Sequence, residues 1–195
     1  IKDSDGNPTT DYVYGGCIIE FDVNGTNADG EETYTATVRA ARDDEVTDLG
    51  ITATPGYLGK GANPSNSWDG NGFLRDNIDI DPAPYWEKYR LVTTKVVIDD
   101  SVLSLGGAAF TLFENVTELE WGTNPQVTEI PSNFLMSSSI ETLDIPASVE
   151  KIGNFAFGKY NSIGAAPTIV NLGNPYAELG NKAEGTNHAF SYQDK

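Results

Sequence analysis

Apolar residues fall into one spacing twice along this chain: Ile98, Val102, Leu105 and Phe110 are separated by 4, 3 and 5 positions, and so are Ile145, Val149, Ile152 and Phe157. In each copy a glycine follows the third apolar position (Gly106, Gly153), and another apolar residue stands two before the first (Val96, Leu143). The unit reads h-x-h-x3-h-x2-h-G-x3-F, with h apolar and x any residue. A looser unit lies between the copies, with Leu119, Trp121, Val127, Ile130 and Phe134 or Leu135. Another follows them, with Val170, Leu172, Tyr176, Leu179 and a displaced Ala189-Phe190. The four starting points, 96, 119, 143 and 170, are 23, 24 and 27 residues apart. Because side chains alternate along a strand, the h-x-h triplet predicts a short strand with its outer positions facing inward and its middle one facing out. The later apolar positions belong to a return arm; no segment shows helical periodicity over three turns, and 104–114 and 150–161 leave room for a helical turn or a 3-10 piece, as such repeats allow. One such unit cannot bury its own apolar stripe, so neighbours must cover it, and four units suffice for a continuous core.

Upstream the period changes to two. Cys17, Ile19, Phe21 and Val23 share one face of residues 17–23, and Tyr34, Ala36, Val38 and Ala40 share one face of 33–41. The intervening NGTNADGEE is rich in Gly and Asn and too long for a two-residue turn, which predicts a hairpin with an extended loop. A third strand is expected near Val46–Ala53, and a long surface loop over 54–72. Residues 1–11 are polar and aperiodic and read as a linker. The expected fold is mainly β: a short solenoid of about four coils over 84–195, preceded over 12–83 by a small antiparallel β module or cap with a long loop. So few strands make a thin independent sandwich, which favours a cap hydrogen-bonded to the first coil.

The period lies in the range of leucine-rich repeats, and IPASVEKIGNFAF at 145–157 resembles the I-P-x-S-V-x-x-I-G-x-x-A-F consensus of the BspA-like leucine-rich repeats. The resemblance covers roughly 84–190. It is closest in the first and third units, and is weakened in the second by the inserted GTNPQ and the lack of Ala-Phe. PAPYWEKYRLVTTKVVIDDSV is similar to the lead-in that precedes the first coil in such proteins, with Trp86 and Tyr89 at its aromatic positions. The resemblance implies a bacterial, exported cell-surface protein without enzymatic activity.

Charge narrows the partners. With 29 acidic against 12 basic residues the formal net charge is −17, so a nucleic-acid backbone or an anionic membrane would be repelled. No apolar run reaches the roughly 18–20 residues that span a bilayer, and membrane insertion is not expected. The chain starts with Ile, as expected of a mature form or a piece of something longer. Cys17 is the one cysteine and His188 the one histidine, which excludes an internal disulfide and metal sites built from several His or Cys of one chain. Cys17 reads as a small buried hydrophobe in a strand, and His188 as a loop residue. Adjacent acids such as Asp43-Asp44-Glu45 and Asp99-Asp100 leave glycoside hydrolysis open by residue type, but nothing singles out a pair.

Calcium is the one inorganic ligand left open, because its oxygen shell suits alternating Asp and Asn. Asp69, Asn71 and Asp76, with Asp79 and Asp81, form one candidate set; Asp3, Asp5, Asn7 and Asp11 form another, without the EF-hand spacing of Gly and Glu. Turn chemistry accounts for both more simply than a bound ion. The remaining candidates are surfaces. Val97, Glu120, Asp144 and Asn171 are the outward positions of successive strands, flanked by Lys95, Glu118, Thr142 and Ile169. Tyr57 and Trp68, with Tyr85 and Trp86, are aromatics that could stack on a sugar or anchor a protein, although Trp86 is expected beneath the first coil. The expected function is a non-enzymatic, exported or cell-surface binding module that recognises a protein on a host or neighbouring cell. Two alternatives stay open: an accessory glycan-binding or glycan-degrading surface protein, and a structural spacer in a larger one.

Overall fold

Alternating burial along the first long strand sets the orientation of everything that follows. A computed structural model describes residues 12–58, 89–160, 165–180, 189–190 and 192–193. Strands β1 (Tyr12–Tyr14), β2 (Cys17–Thr26) and β3 (Glu32–Ala40) form an antiparallel meander. The β2–β3 turn is held by Asn27, whose Oδ1 accepts the N–H groups of Asp29 and Glu31 at 3.0 and 2.9 Å, and Gly30 adopts φ +84° there.

The expected strand at 46–53 is instead a short helix, α1 (Asp43–Asp48). The Glu45 carboxylate accepts the Arg42 N–H at 2.8 Å, capping the helix start. Three acids occupy the first turn, where the helix dipole favours them. Gly50, at φ +64°, ends the helix as the Ile51 N–H reaches back to the Val46 carbonyl. The start of the expected loop is stitched down: Tyr57 bridges Ser104, Leu58 bridges Gly15, and the Gly16 N–H donates to the Tyr57 carbonyl. A Cβ on Gly16 would lie 1.8 Å from the Thr54 carbonyl oxygen, so only glycine fits this crossing.

Beyond the loop come β4 (Thr93–Ile98), β5 (Glu118–Trp121), β6 (Glu129–Ile130), β7 (Thr142–Ile145), β8 (Lys151–Ile152), β9 (Lys159–Tyr160), β10 (Ile169–Leu172), β11 (Glu178–Leu179) and β12 (Tyr192–Gln193). They pair in parallel, each with its counterpart one repeat away. β4 joins β3 and β5, giving one five-stranded sheet in the order β1-β2-β3-β4-β5. β7 pairs with β10, β6 with β8 and β8 with β11, and β9 with β12. The registers, Val96↔Leu119 and Leu143↔Val170, align the starting positions that the sequence spacing predicts. Among the described residues β5 and β7 adjoin without a ladder.

The return arms take neither form the sequence left room for: among the described residues of 104–114 and 150–161 there is no helix or 3-10 turn. Residues 108, 110 and 112 donate their N–H groups to the carbonyls of Ser132, Phe134 and Met136, and 133, 135 and 137 donate to Asn154, Ala156 and Gly158. A helix points all its N–H groups along one axis, whereas these turns must send alternate ones sideways. Left-handed residues do this: Ala108, Leu112, Asn133, Ser137 and Phe155 have φ between +56° and +66°. Each such non-glycine residue costs about 1–2 kcal/mol, offset by the cross-links to the neighbouring turn.

One apolar core runs from Cys17, Ile19 and Phe21 through Val96, Leu119, Leu143 and Ile152 to Phe157 and Ala189. Phe110, Phe134, Phe157 and Phe190 form a column of rings with centroids 5.8, 6.5 and 6.0 Å apart. Phe134, and not Leu135, is the member contributed by the second unit. Tyr89 stacks on Phe21 at 4.1 Å and meets Tyr34 edge-on, so an aromatic of the repeat lead-in sits against the N-terminal meander.

Candidate functional site

The strands turn one row of side chains outward. Thr37, Val97 and Glu120 are register partners across β3, β4 and β5, and Asp144 and Asn171 are partners across β7 and β10. Val97 is half-buried; Glu120, Asp144 and Asn171 are exposed. Charge on this face is partly paired. The Lys95 ammonium bonds to Glu120 and lies 3.0 Å from Glu118, and these contacts, the Glu120 hydrogen bond first, raise its pKa. Asn171 Nδ2 donates to Asp144 Oδ1 at 2.7 Å.

Where β5 meets β7, the Trp121 indole N–H donates to the Asp144 carbonyl at 2.9 Å. This residue occupies an inward position equivalent to Ile98, yet it is only half-buried, with its N–H donor satisfied by that carbonyl. Beside it opens a groove of ≈ 470 Å³ between residues 121–125 and 144–148. One wall is the insertion that interrupts the repeat. Asp100 braces it, Oδ1 accepting the Asn124 N–H at 2.7 Å and Oδ2 the Thr123 hydroxyl at 3.0 Å. A Cβ on Gly122 would stand 2.1 Å from Asp100 Oδ1, so the brace needs glycine at 122. Pro125 and Pro146 stiffen the two rims. The Ser148 Oγ is buried with no hydrogen-bond partner among the described residues.

The acidic runs named from sequence have structural roles. Glu45 binds Arg39 at 2.7 Å and Arg42 at 2.6 Å, and the Arg39 hydrogen bond, ahead of the smaller opposing effect of burial, holds its carboxyl down at about 2. Arg39 also binds Glu20 at 2.6 Å. Asp99 accepts from the Ser101 hydroxyl and N–H, which lowers its pKa, and Asp100 braces the insertion. Cys17 is buried, and desolvation pushes its thiol up to about 12, which makes it a poor nucleophile.

Tyr57 is 49% exposed, while its backbone is held to Ser104. Trp68, Asp69, Asn71 and Asp76 lie outside the described residues, as do Asp3, Asp5, Asn7, Asp11, Asp79, Asp81, Tyr85, Trp86 and His188. Among the described residues no group of three or more His, Cys, Asp or Glu is placed to hold a metal ion, and no helix is long and apolar enough to cross a membrane. Trp121 and its groove are what the sequence reading missed. The available signal was a large residue with a polar N–H in a column otherwise filled by Ile and Leu, next to GTNPQ.

The register of these rows is that of a repeat, and residues 88–174 match the family described as BspA type Leucine rich repeat region, in six copies. This stretch is a BspA-type leucine-rich repeat region. Comparison with curated proteins and with solved structures gave no match. Leucine-rich repeat regions generally mediate protein interactions without catalysing reactions, and BspA-like ones are typically exported or cell-surface proteins in bacteria.

Proposed function

We propose that this chain is a non-enzymatic, exported module that binds a protein partner through the outward face of its repeat strands and the groove at Trp121. In this reading the parallel ladders are faces of a short solenoid of about four coils, and β1–β3 with α1 form its N-terminal cap. The carrying observation is the shared register from Thr37 to Glu120 and from Asp144 to Asn171, joined by the Trp121–Asp144 bond. It sets one outward residue per strand in a row on a rigid backbone, which suits recognition of an extended surface. Adhesion to a host or neighbouring cell follows from the family's usual location and belongs to the same proposal.

Thr142 is exposed on this face and takes no part in the core, so Thr142→Arg places bulk there without touching the fold. The expected result is loss of binding to immobilised extracellular proteins with an unchanged melting curve. Turnover of a glycan substrate that disappears when a single carboxylate is changed would replace this reading with a glycan-degrading one.

A further inference from the structure

We propose that the groove beside Trp121 docks an arginine side chain carried by a basic segment of the protein partner, an assignment that rests on the interaction reading above. Charge complementarity is the first argument. The outward positions near the groove carry Glu118, Glu120 and Asp144, and the one cation among their register partners, Lys95, is already shared between Glu118 and Glu120. Asp144 forms no ion pair with any described cation; Asn171 satisfies one carboxylate oxygen and leaves the other to accept. Asp100 adds a second negative charge behind the groove wall. The chain as a whole, at −17, attracts a cationic segment at long range.

The second argument is shape. Trp121 is pinned by its N–H to the Asp144 backbone carbonyl, and the Asp144 carboxylate is held by Asn171, so ring and acid are each ordered before any ligand arrives. A guanidinium is planar: it stacks on an indole face and still donates in its own plane to a carboxylate. An ammonium is a point charge and gains only the electrostatic part. The Asp100 brace and the two rim prolines keep the walls ordered in advance, which lowers the entropy lost on docking. A neutral sugar would use the ring and leave the charge unused.

The test titrates an acetylated, amidated hexa-arginine peptide into the protein at about 0.15 M salt, where diffuse attraction is screened beyond roughly 8 Å. Asp144→Asn keeps the shape and the acceptor for Asn171, and it is expected to weaken binding about tenfold, as is Trp121→Ala. Trp121→Phe keeps a ring face and guards against misfolding of the alanine variant; its loss should be intermediate. Asp29→Asn removes the same charge from an exposed turn and should change binding less than about twofold, while hexa-lysine should bind about tenfold more weakly. Equal losses in Asp29→Asn and Asp144→Asn, or equal affinity for the two peptides, overturn the assignment. Selection from a random displayed-peptide library separates it from the broader reading. Selected peptides that lack arginine, or that Asp144→Asn still binds, overturn the arginine site and leave protein recognition standing. Neutral glycans bound by the wild type and released by Trp121→Ala overturn it in favour of a sugar. Silence in both the titration and the selection overturns both.

Discussion

Cutting Phe134 back to alanine removes an interior ring of the column that ties successive repeat turns together. The side chain is 0% exposed, and it meets Phe110 and Phe157 edge-to-face at 5.8 and 6.5 Å. Deleting a buried phenylalanine costs about 3–5 kcal/mol, part lost transfer energy and part cavity. Two ring pairs at roughly 0.5–1.5 kcal/mol each account for a share of that. Collapse into the cavity is restrained here, because the backbone is bonded on both sides: Phe110 N–H to the Phe134 carbonyl, Asn133 and Leu135 N–H to Asn154 and Ala156. The expected loss is therefore in the upper half of the range, about 4 kcal/mol, which for a chain of this size lowers the melting midpoint by roughly 8–16 °C. Phe190 is half-buried and stacks on Phe157 alone among the described rings, so Phe190→Ala should cost only about 1–2 kcal/mol. Urea unfolding followed by far-UV circular dichroism reads both, with an unchanged m-value as the check that the same surface is exposed. A loss below about 1.5 kcal/mol for Phe134→Ala, or equal losses at the two positions, would refute a continuous ring column.

Glu45→Gln tests the Arg39 cluster through pH. The Glu45 carboxyl is held down from its ordinary 4.5 to about 2, so its contribution is present above pH about 4.5 and lost as pH falls toward 2. Wild type should exceed Glu45→Gln by about 1–3 kcal/mol at neutral pH, and the gap should close on acidification; a pH-independent gap contradicts the ion pairs. Gly122→Ala drives a methyl into Asp100 and should cost about 1–3 kcal/mol, less in an Asp100→Ala background. Strictly additive losses in that double-mutant cycle would mean that the two residues do not touch. Cys17 should stay unreactive toward a thiol reagent in the native state and label only at the rate of global opening. Labelling within seconds under native conditions would place the thiol at the surface.

The inward columns were legible because they depend on one chain-local rule, alternation within a strand, repeated at nearly constant intervals. Leu143 and Ile145 face the core while Thr142 and Asp144 face out, as h-x-h requires. Features that depend on distant side chains meeting were not legible. Val46–Ala53 carries an alternation that fits a strand, but Glu45 is claimed by Arg39 from β3 as well as by Arg42, and that meeting helps fix the helix. A helical or 3-10 turn stayed open for the return arms because nothing local marks Ala108, Leu112 or Phe155 as left-handed; the bonds that hold them so come from the neighbouring turn.

The groove joins both lessons. Trp121 obeys the inward spacing and was counted as core, yet its N–H, the inserted GTNPQ and the Asp100 brace turn that position toward the surface. Each repeat must keep its inward residues apolar to cover its neighbours, which leaves little freedom there for recognition. Freedom lies where the unit departs from its own spacing. One such departure is the insertion at 122–126, and residues 122–125 of that loop form one wall of the ≈ 470 Å³ groove. A break in the repeat is thus a structural reason to look for binding at that point, and the Asp100–Gly122 contact shows that the break is held in one shape.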